Sequence, residues 1–132
     1  MNGAVVDTDV ESMLFKGDSR ALHYRSHIAG RLLAISFMTL AELERWSLER
    51  NWGTSRTAEL KLHVRNYTVL PASRELCAQW ARISFEARKK GRPIQTADAW
   101  IAASALHYQV PLITNNSADY TSIDGLQVLT SD

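Results

Sequence analysis

The sequence predicts an α/β fold: a single three-layer α/β/α domain over residues 1–132, built on a central, mostly parallel sheet. Two observations carry that expectation. Short apolar, partly β-branched runs lack the polar alternation of a half-exposed strand, as strands buried on both faces do. Between them lie stretches of helical apolar spacing, and such alternation implies right-handed crossovers with helices covering both sides of the sheet. A chain of 132 residues suffices for one core and is too short for two.

Taken in order, Ala4 to Val6 is the first strand. Ser19 to Gly30 is a modest helical pattern, and Leu32 to Met38 is the second strand. Thr39 to Arg50 places Leu40, Leu43 and Trp46 or Ser47 at helical spacing. Ser55 to Arg65 carries Leu60 and Val64, and Tyr67 continues that face. Tyr67 to Leu70 is the third strand. Ser73 to Lys90 sets Leu76, Trp80, Ile83 and Ala87 on one stripe until Gly91 and Pro93 stop it. The Ala-rich stretch Gln95 to Tyr108 has Ile101 and Ala105 on one face. Val110 to Thr114 is the fourth strand and Leu126 to Leu129 the fifth.

Composition narrows the class. A hydrophobic fraction of 45% and a charged fraction of 22% are those of a globular chain. The net charge of +1 conceals a division between acidic strand ends and basic helix faces such as Arg88-Lys89-Lys90 and Arg92. One cysteine, Cys77, excludes an internal disulfide framework and fits a reducing compartment. Met1-Asn2-Gly3 leads straight into a strand without a basic leader. No apolar run nears the roughly 20 residues of a membrane span. A cytoplasmic protein with no membrane partner is expected.

Acidic residues then gather at one rim. Asp7 ends the first strand, followed by Thr8 and Asp9. Glu42 is expected in the first turn of the helix after the second strand, and Asp98 in the first turn of the Ala-rich helix. Asn116 and Asp119 follow the fourth strand. In a parallel sheet all of these face the carboxyl edge, where open α/β sheets bind ligands. Each has a plainer use. Thr39-x-x-Glu42 matches a capping box, Asp98 suits the positive end of a helix dipole, and Asp7, Asn116 and Asp119 suit caps and turns. Capping accounts for each residue singly but not for their sharing a rim.

The segments Val5-Val6-Asp7-Thr8-Asp9, Thr39-x-x-Glu42-Leu43, Ala97-Asp98-Ala99-x-Ile101-Ala102-Ala103 and Leu112-Ile113-Thr114-x-Asn116-x-x-Asp119-Tyr120 together resemble the PIN-domain ribonucleases. Within that family they are nearest the VapC toxins of toxin–antitoxin pairs, in the family's order and spacing over nearly the whole chain. The resemblance implies a PIN-like fold and an endoribonuclease dependent on Mg²⁺ or Mn²⁺. It also implies a homodimer, a structured RNA substrate such as tRNA, and a cognate VapB-like antitoxin. Carried over, Asp7 and Asp98 match the principal metal ligands, and Glu42 and Asp119 the remaining acids of a catalytic quartet. Asp9 stands where many relatives have Asn, adding negative charge, and Asn116 where some have Asp, which leaves the fourth acid to Asp119.

The chemistry is consistent with that set. Mg²⁺ takes one or two direct carboxylates and keeps several waters, so Asp7 and Asp98 would bind directly while Glu42 and Asp119 orient water. Thr8, Asp9, Thr114 and Asn116 would hold phosphate or the outer ligand layer. Arg45, Lys89, Lys90 and Arg92 are candidates to receive the RNA backbone, although for any one of them a solvated helix end is the commoner explanation. His23 and His27, at i and i+4, read as a surface pair, and Cys77 as a small buried group. Trp46, Trp52, Trp80 and Trp100 suit base stacking, but on amphipathic helices core or interface is the commoner use.

Two alternatives compete. Val5-Val6-Asp7-Thr8-Asp9-Val10 also fits a haloacid-dehalogenase-like phosphatase with Asp7 as nucleophile and Asp9 as acid/base. That scheme needs a late lysine, absent from Thr114 to Asp124, and leaves Glu42 and Asp98 without roles. The other is a catalytically silent PIN-like scaffold that binds RNA or protein. A dinucleotide-binding domain is excluded, since no Gly-x-Gly-x-x-Gly follows the first strand.

Overall fold

The strands of the computed structural model, which describes residues 2–131, are β1 (Gly3–Val6), β2 (Leu32–Ser36), β3 (Thr68–Leu70), β4 (Leu112–Ile113) and β5 (Val128–Leu129). They form one sheet in the order β3-β2-β1-β4-β5, and every neighbouring pair is parallel. The helices are α1 (Thr8–Lys16), α2 (Arg25–Ile28), α3 (Phe37–Glu49), α4 (Thr54–Val64), α5 (Arg74–Lys89) and α6 (Thr96–Tyr108). The expected three-layer α/β/α architecture is what the chain adopts.

Period-two alternation along the strands sorts side chains into two cores. Val5 and Leu112 face the layer of α5 and α6, where they meet Leu76, Ile83, Ile101 and Tyr120. Ala4, Val6 and Ile113 face the other layer, against Val10, Met13, Tyr24 and Tyr67. Small residues let α6 sit close to the sheet: Ala99, Ala102, Ala103 and Ala105 are fully buried.

Several boundaries differ from the sequence expectation, each for a local reason. The second strand ends at Ser36 rather than Met38, because the Ser36 hydroxyl accepts the Met38 amide at 3.0 Å and caps α3. Glu42 therefore lies in the second turn of α3. Ser19 to Gly30 is not one helix but a 3₁₀ turn, Ser19–Tyr24, followed by the single-turn α2. His23 and His27 thus fall on different elements, and His27 Nε2 lies 2.9 Å from the Thr130 carbonyl. Cys77 is exposed, not buried. It stands one residue, about 100°, around α5 from the buried Leu76. The nine-residue α1 was not expected. It starts on Asp7 as N-cap and ends at Gly17, whose φ of 67° closes the helix in the left-handed region.

No described helix is long and apolar enough to cross a membrane.

Candidate active site

The order of the strands places the site. From β1 the chain moves outward through β2 and β3, then returns to the opposite side of β1 for β4 and β5. The reversal leaves a crevice between the carboxyl ends of β1 and β4, the general ligand position of open α/β sheets. The pairing Val6↔Ile113 brings the next residues, Asp7 and Thr114, to the lip of that crevice.

Asp7 is held there by three donors. Its Oδ1 accepts the Thr8 amide at 2.7 Å. Its Oδ2 accepts the Thr114 hydroxyl at 2.7 Å and the Tyr120 hydroxyl at 2.8 Å. Two O–H donors fill the lone pairs of Oδ2, so one lone pair on Oδ1 remains for a further partner. The Tyr120 oxygen also lies 3.4 Å from Asp98 Oδ1. One phenolic hydrogen cannot serve both, and the shorter contact takes it. Tyr120, at 2% exposure, thus bridges the first strand to the opening turn of α6.

A second network ties in α3. The Thr8 hydroxyl donates to Glu42 Oε1 at 2.8 Å, since a carboxylate offers no hydrogen in return. Having spent its proton, Thr8 Oγ1 accepts from the buried Thr39 hydroxyl at 2.8 Å. Glu42 is therefore drawn to the rim, and the capping box with Thr39 does not form. Asp9 secures the loop after β4: its Oδ2 accepts the Asn115 amide at 3.1 Å and the Asn116 side-chain amide at 3.2 Å. Asn116 N in turn donates to Thr114 Oγ1 at 3.0 Å. Asp119 is exposed and lines a cleft with Asp98, Gln95 and Arg92.

These carboxylates strain against one another. Burial, and then the charge of Asp7, pushes the Asp9 carboxyl up to about 7. Burial raises Asp98 to about 6, with repulsion from Asp7, Asp119 and Glu42 adding to it. Asp7 is also raised, chiefly by burial, against the opposing pull of its Thr114, Tyr120 and Thr8 donors. Burial and the surrounding acids push the Tyr120 phenol far up, so it remains a donor. Among the described residues, no three His, Cys, Asp or Glu side chains already stand as a ligand cage. What the rim offers is an all-oxygen donor set whose repulsion a hard cation would relieve.

Of the predicted site residues, Asp7, Thr8, Asp9, Glu42, Asp98, Thr114, Asn116 and Asp119 all reach this rim. The basic candidates divide. Arg92 lines the cleft. Arg45 lies 3.7 Å from Glu49 on its own helix, and Lys90 is held by the Ser122 carbonyl and Asp124, each at 2.9 Å. Lys89 is exposed at the end of α5. Two site residues were missed by the sequence reading. Tyr120 enters the sequence only as the end of a motif without a role, yet a buried phenol must find a polar partner, and the acids expected nearby are the available signal. Thr39 reads there only as a cap.

Comparison with known proteins identifies the family and the fold. Residues 4–125 match the PIN domain family. Ribonuclease VapC1 of Haemophilus influenzae strain R2866 is 29% identical over 126 residues, 93% of each chain. Ribonuclease VapC5 of Mycobacterium tuberculosis is 30% identical over 95 residues, 70% of each chain. Among solved structures, VapBC2 from Rickettsia felis bound to a DNA fragment from their promoter shares the fold, with a TM-score of 0.85, 21% identity and 98% of each chain covered. The chain belongs to the PIN-domain family, among its VapC-type members.

Proposed function

We propose that this chain is a VapC-type toxin: an endoribonuclease that hydrolyses RNA phosphodiester bonds, with tRNA or another structured RNA as substrate. The observation that carries the reading is the gathering of Asp7, which accepts the Tyr120 hydroxyl, and Asp98, 3.4 Å from the same oxygen, at the switch point of a PIN fold. Asp7 and Asp98 would hold a Mg²⁺ or Mn²⁺ ion, with Glu42 and Asp119 positioned around it. When bound, such an ion acidifies water and neutralises charge developing on the phosphate.

The remaining roles belong to this chain's own atoms. Tyr120 and Thr114 fix the Asp7 carboxylate through Oδ2 and leave one Oδ1 lone pair free for a cation. Thr8 aims Glu42 at the same space. Asp9 and Asn116 set the loop that carries Asp119. Arg92, beside Asp98 and Asp119, is placed to receive a phosphate of the substrate.

A phosphatase with Asp7 as nucleophile is disfavoured. Its Oδ2 is committed to two hydroxyls, and Glu42 and Asp98 occupy the same rim. By analogy with the VapBC complex, a VapB-like antitoxin would be the restraining partner. We place the protein in the cytoplasm, acting as a homodimer of single PIN-like domains.

The direct test is incubation of the purified chain with end-labelled tRNA, with Mn²⁺ or with chelator. Defined fragments should form with Mn²⁺ and vanish with chelator or in Asp98→Asn. Equal cutting by Asp98→Asn would overturn the assignment.

A further inference from the structure

The helices α1 and α3 lie side by side, pinned at two places. At one end Thr8 bonds Thr39 and Glu42. At the other, Lys16 Nζ lies 5.8 Å from the centre of the Trp46 ring. That far end is a surface of aromatic rings and cations. The Arg50 guanidinium lies 5.2 Å from the Trp46 ring. The Arg56 guanidinium lies 4.4 Å from Phe15 and 5.2 Å from Trp52, whose rings are 5.7 Å apart. Phe15, Trp46 and Trp52 are all partly exposed, and Lys16 and Arg50 are exposed. Arg56 pairs with Glu59 at 3.2 Å. Among the described residues, Lys16 and Arg50 form no ion pair.

A pure core cluster would exclude these charges, and a solvated helix end would lack the rings. The combination matches what unpaired nucleic acid requires, with aromatic faces for bases and cations for the backbone. Its position matters equally. Eight residues of α1 separate Thr8 from Lys16, about 12 Å at 1.5 Å per residue. Two turns of α3 separate Glu42 from Arg50, which is a similar span. A stacked strand rising about 3.4 Å per nucleotide covers that distance in three to four nucleotides.

We propose that Trp46, with Phe15 and Trp52, forms a stacking platform for unpaired bases, while Lys16 and Arg50 take the adjoining phosphates. The platform would hold the substrate strand a few nucleotides from the acids. On binding, the cations over Trp46 would swing to the backbone and yield the ring face to a base. The proposal rests on the ribonuclease reading above. It adds that single-stranded RNA is engaged at a second, non-catalytic place.

The test reads binding in chelator, where nothing is cut. The probe is a fluorescein-labelled single-stranded 10-mer of oligouridylate, compared with an RNA duplex of equal length. Trp46→Leu should weaken binding of the single strand about tenfold and of the duplex far less, while Trp46→Phe restores most of it. Lys16→Gln with Arg50→Gln should reduce the salt slope by about 1.4, two contacts at about 0.7 each. Unchanged strand affinity in Trp46→Leu would defeat the platform, as would a loss seen only in binding a VapB-like protein. Equal weakening in Trp46→Phe and Trp46→Leu would also defeat it, by pointing to misfolding. A wild-type chain that cuts RNA yet shows any of these results keeps its nuclease and loses the platform. A wild-type chain that binds no RNA loses both.

Discussion

The two ends of the sheet have the same register but opposite chemistry. The amino end is a shallow apolar pocket lined by Gly3, Ala4, Leu32, Leu33, Tyr108 and Val110, with no carboxylate or cation among them. The carboxyl end, a few residues further along the same strands, collects Asp7, Asp9, Glu42, Asp98 and Asp119. One end carries no charge strain although Leu32 and Tyr108 stay exposed there, whereas the other keeps three carboxyls raised above their usual range. The contrast teaches that strand register alone can separate the stabilising and the charge-strained parts of a small domain. Alternation along β1 gives Val5 to one core and Val6 to the other, and the next residue turns acidic where the sheet stops.

Substitutions at the rim and in the core should break this contrast in opposite ways. The largest effect is expected from Asp7→Asn, which removes a proposed direct metal ligand. Cleavage should fall by more than about a hundredfold, beyond what outer-layer changes cost, and a gel of labelled RNA reads it. Tyr120→Phe keeps the ring in the core but removes the donor from Asp7. Metal affinity should weaken by about ten- to a hundredfold with little loss of stability, which calorimetric titration would show. Retained affinity would return Tyr120 to the role of core filler.

In the core beneath the rim the expectation inverts. Leu112→Ala, in the middle of the sheet, should cost about 2–5 kcal/mol of stability. Surviving folded molecules should bind metal as before. A large loss of metal affinity in that variant would mean that core packing and rim are coupled.

The pH dependence sharpens the comparison at smaller scale. Asp98 near 6 and Asp9 near 7 are raised in the folded chain above their ordinary 3.8. Without metal, protonation therefore favours folding, and this contribution is lost as pH rises through about 6 and then 7. Melting temperature in chelator should fall from pH 5 to pH 8, and Asp9→Asn should flatten the upper part of that fall. One such repulsive charge is worth on the order of 1 kcal/mol, or about 4 °C in a chain of this size. Metal-dependent cleavage should run the other way and rise over the same window. A melting temperature that rises from pH 5 to pH 8 in chelator would contradict the strain described here.

Much of this was legible in the sequence, for identifiable reasons. Asp7 stood out because a wholly apolar run stopped at it, and Asp98 because it opened an unusually Ala-rich helix. Strand ends were overestimated where a polar residue served two elements: Ser36 closes β2 and caps α3 at once. Helix α1 was hidden although Asp7 suits a cap, because the cap alone does not say that a helix rather than a turn follows it. Its signals were present in Val10, Met13 and Leu14 at helical spacing and in Gly17 after the last turn. Tyr120 received no role because its sequence neighbours do not show which acid a buried phenol will meet across the fold.

Thermal melting of the wild type, Asp7→Asn and Asp98→Asn during titration with Mn²⁺ tests the central claim most directly. The wild type should gain stability by mass action, about 2.7 kcal/mol when free metal reaches a hundred times Kd, and both variants should lose most of that gain. Curves for the wild type that do not move at millimolar Mn²⁺ would contradict the account.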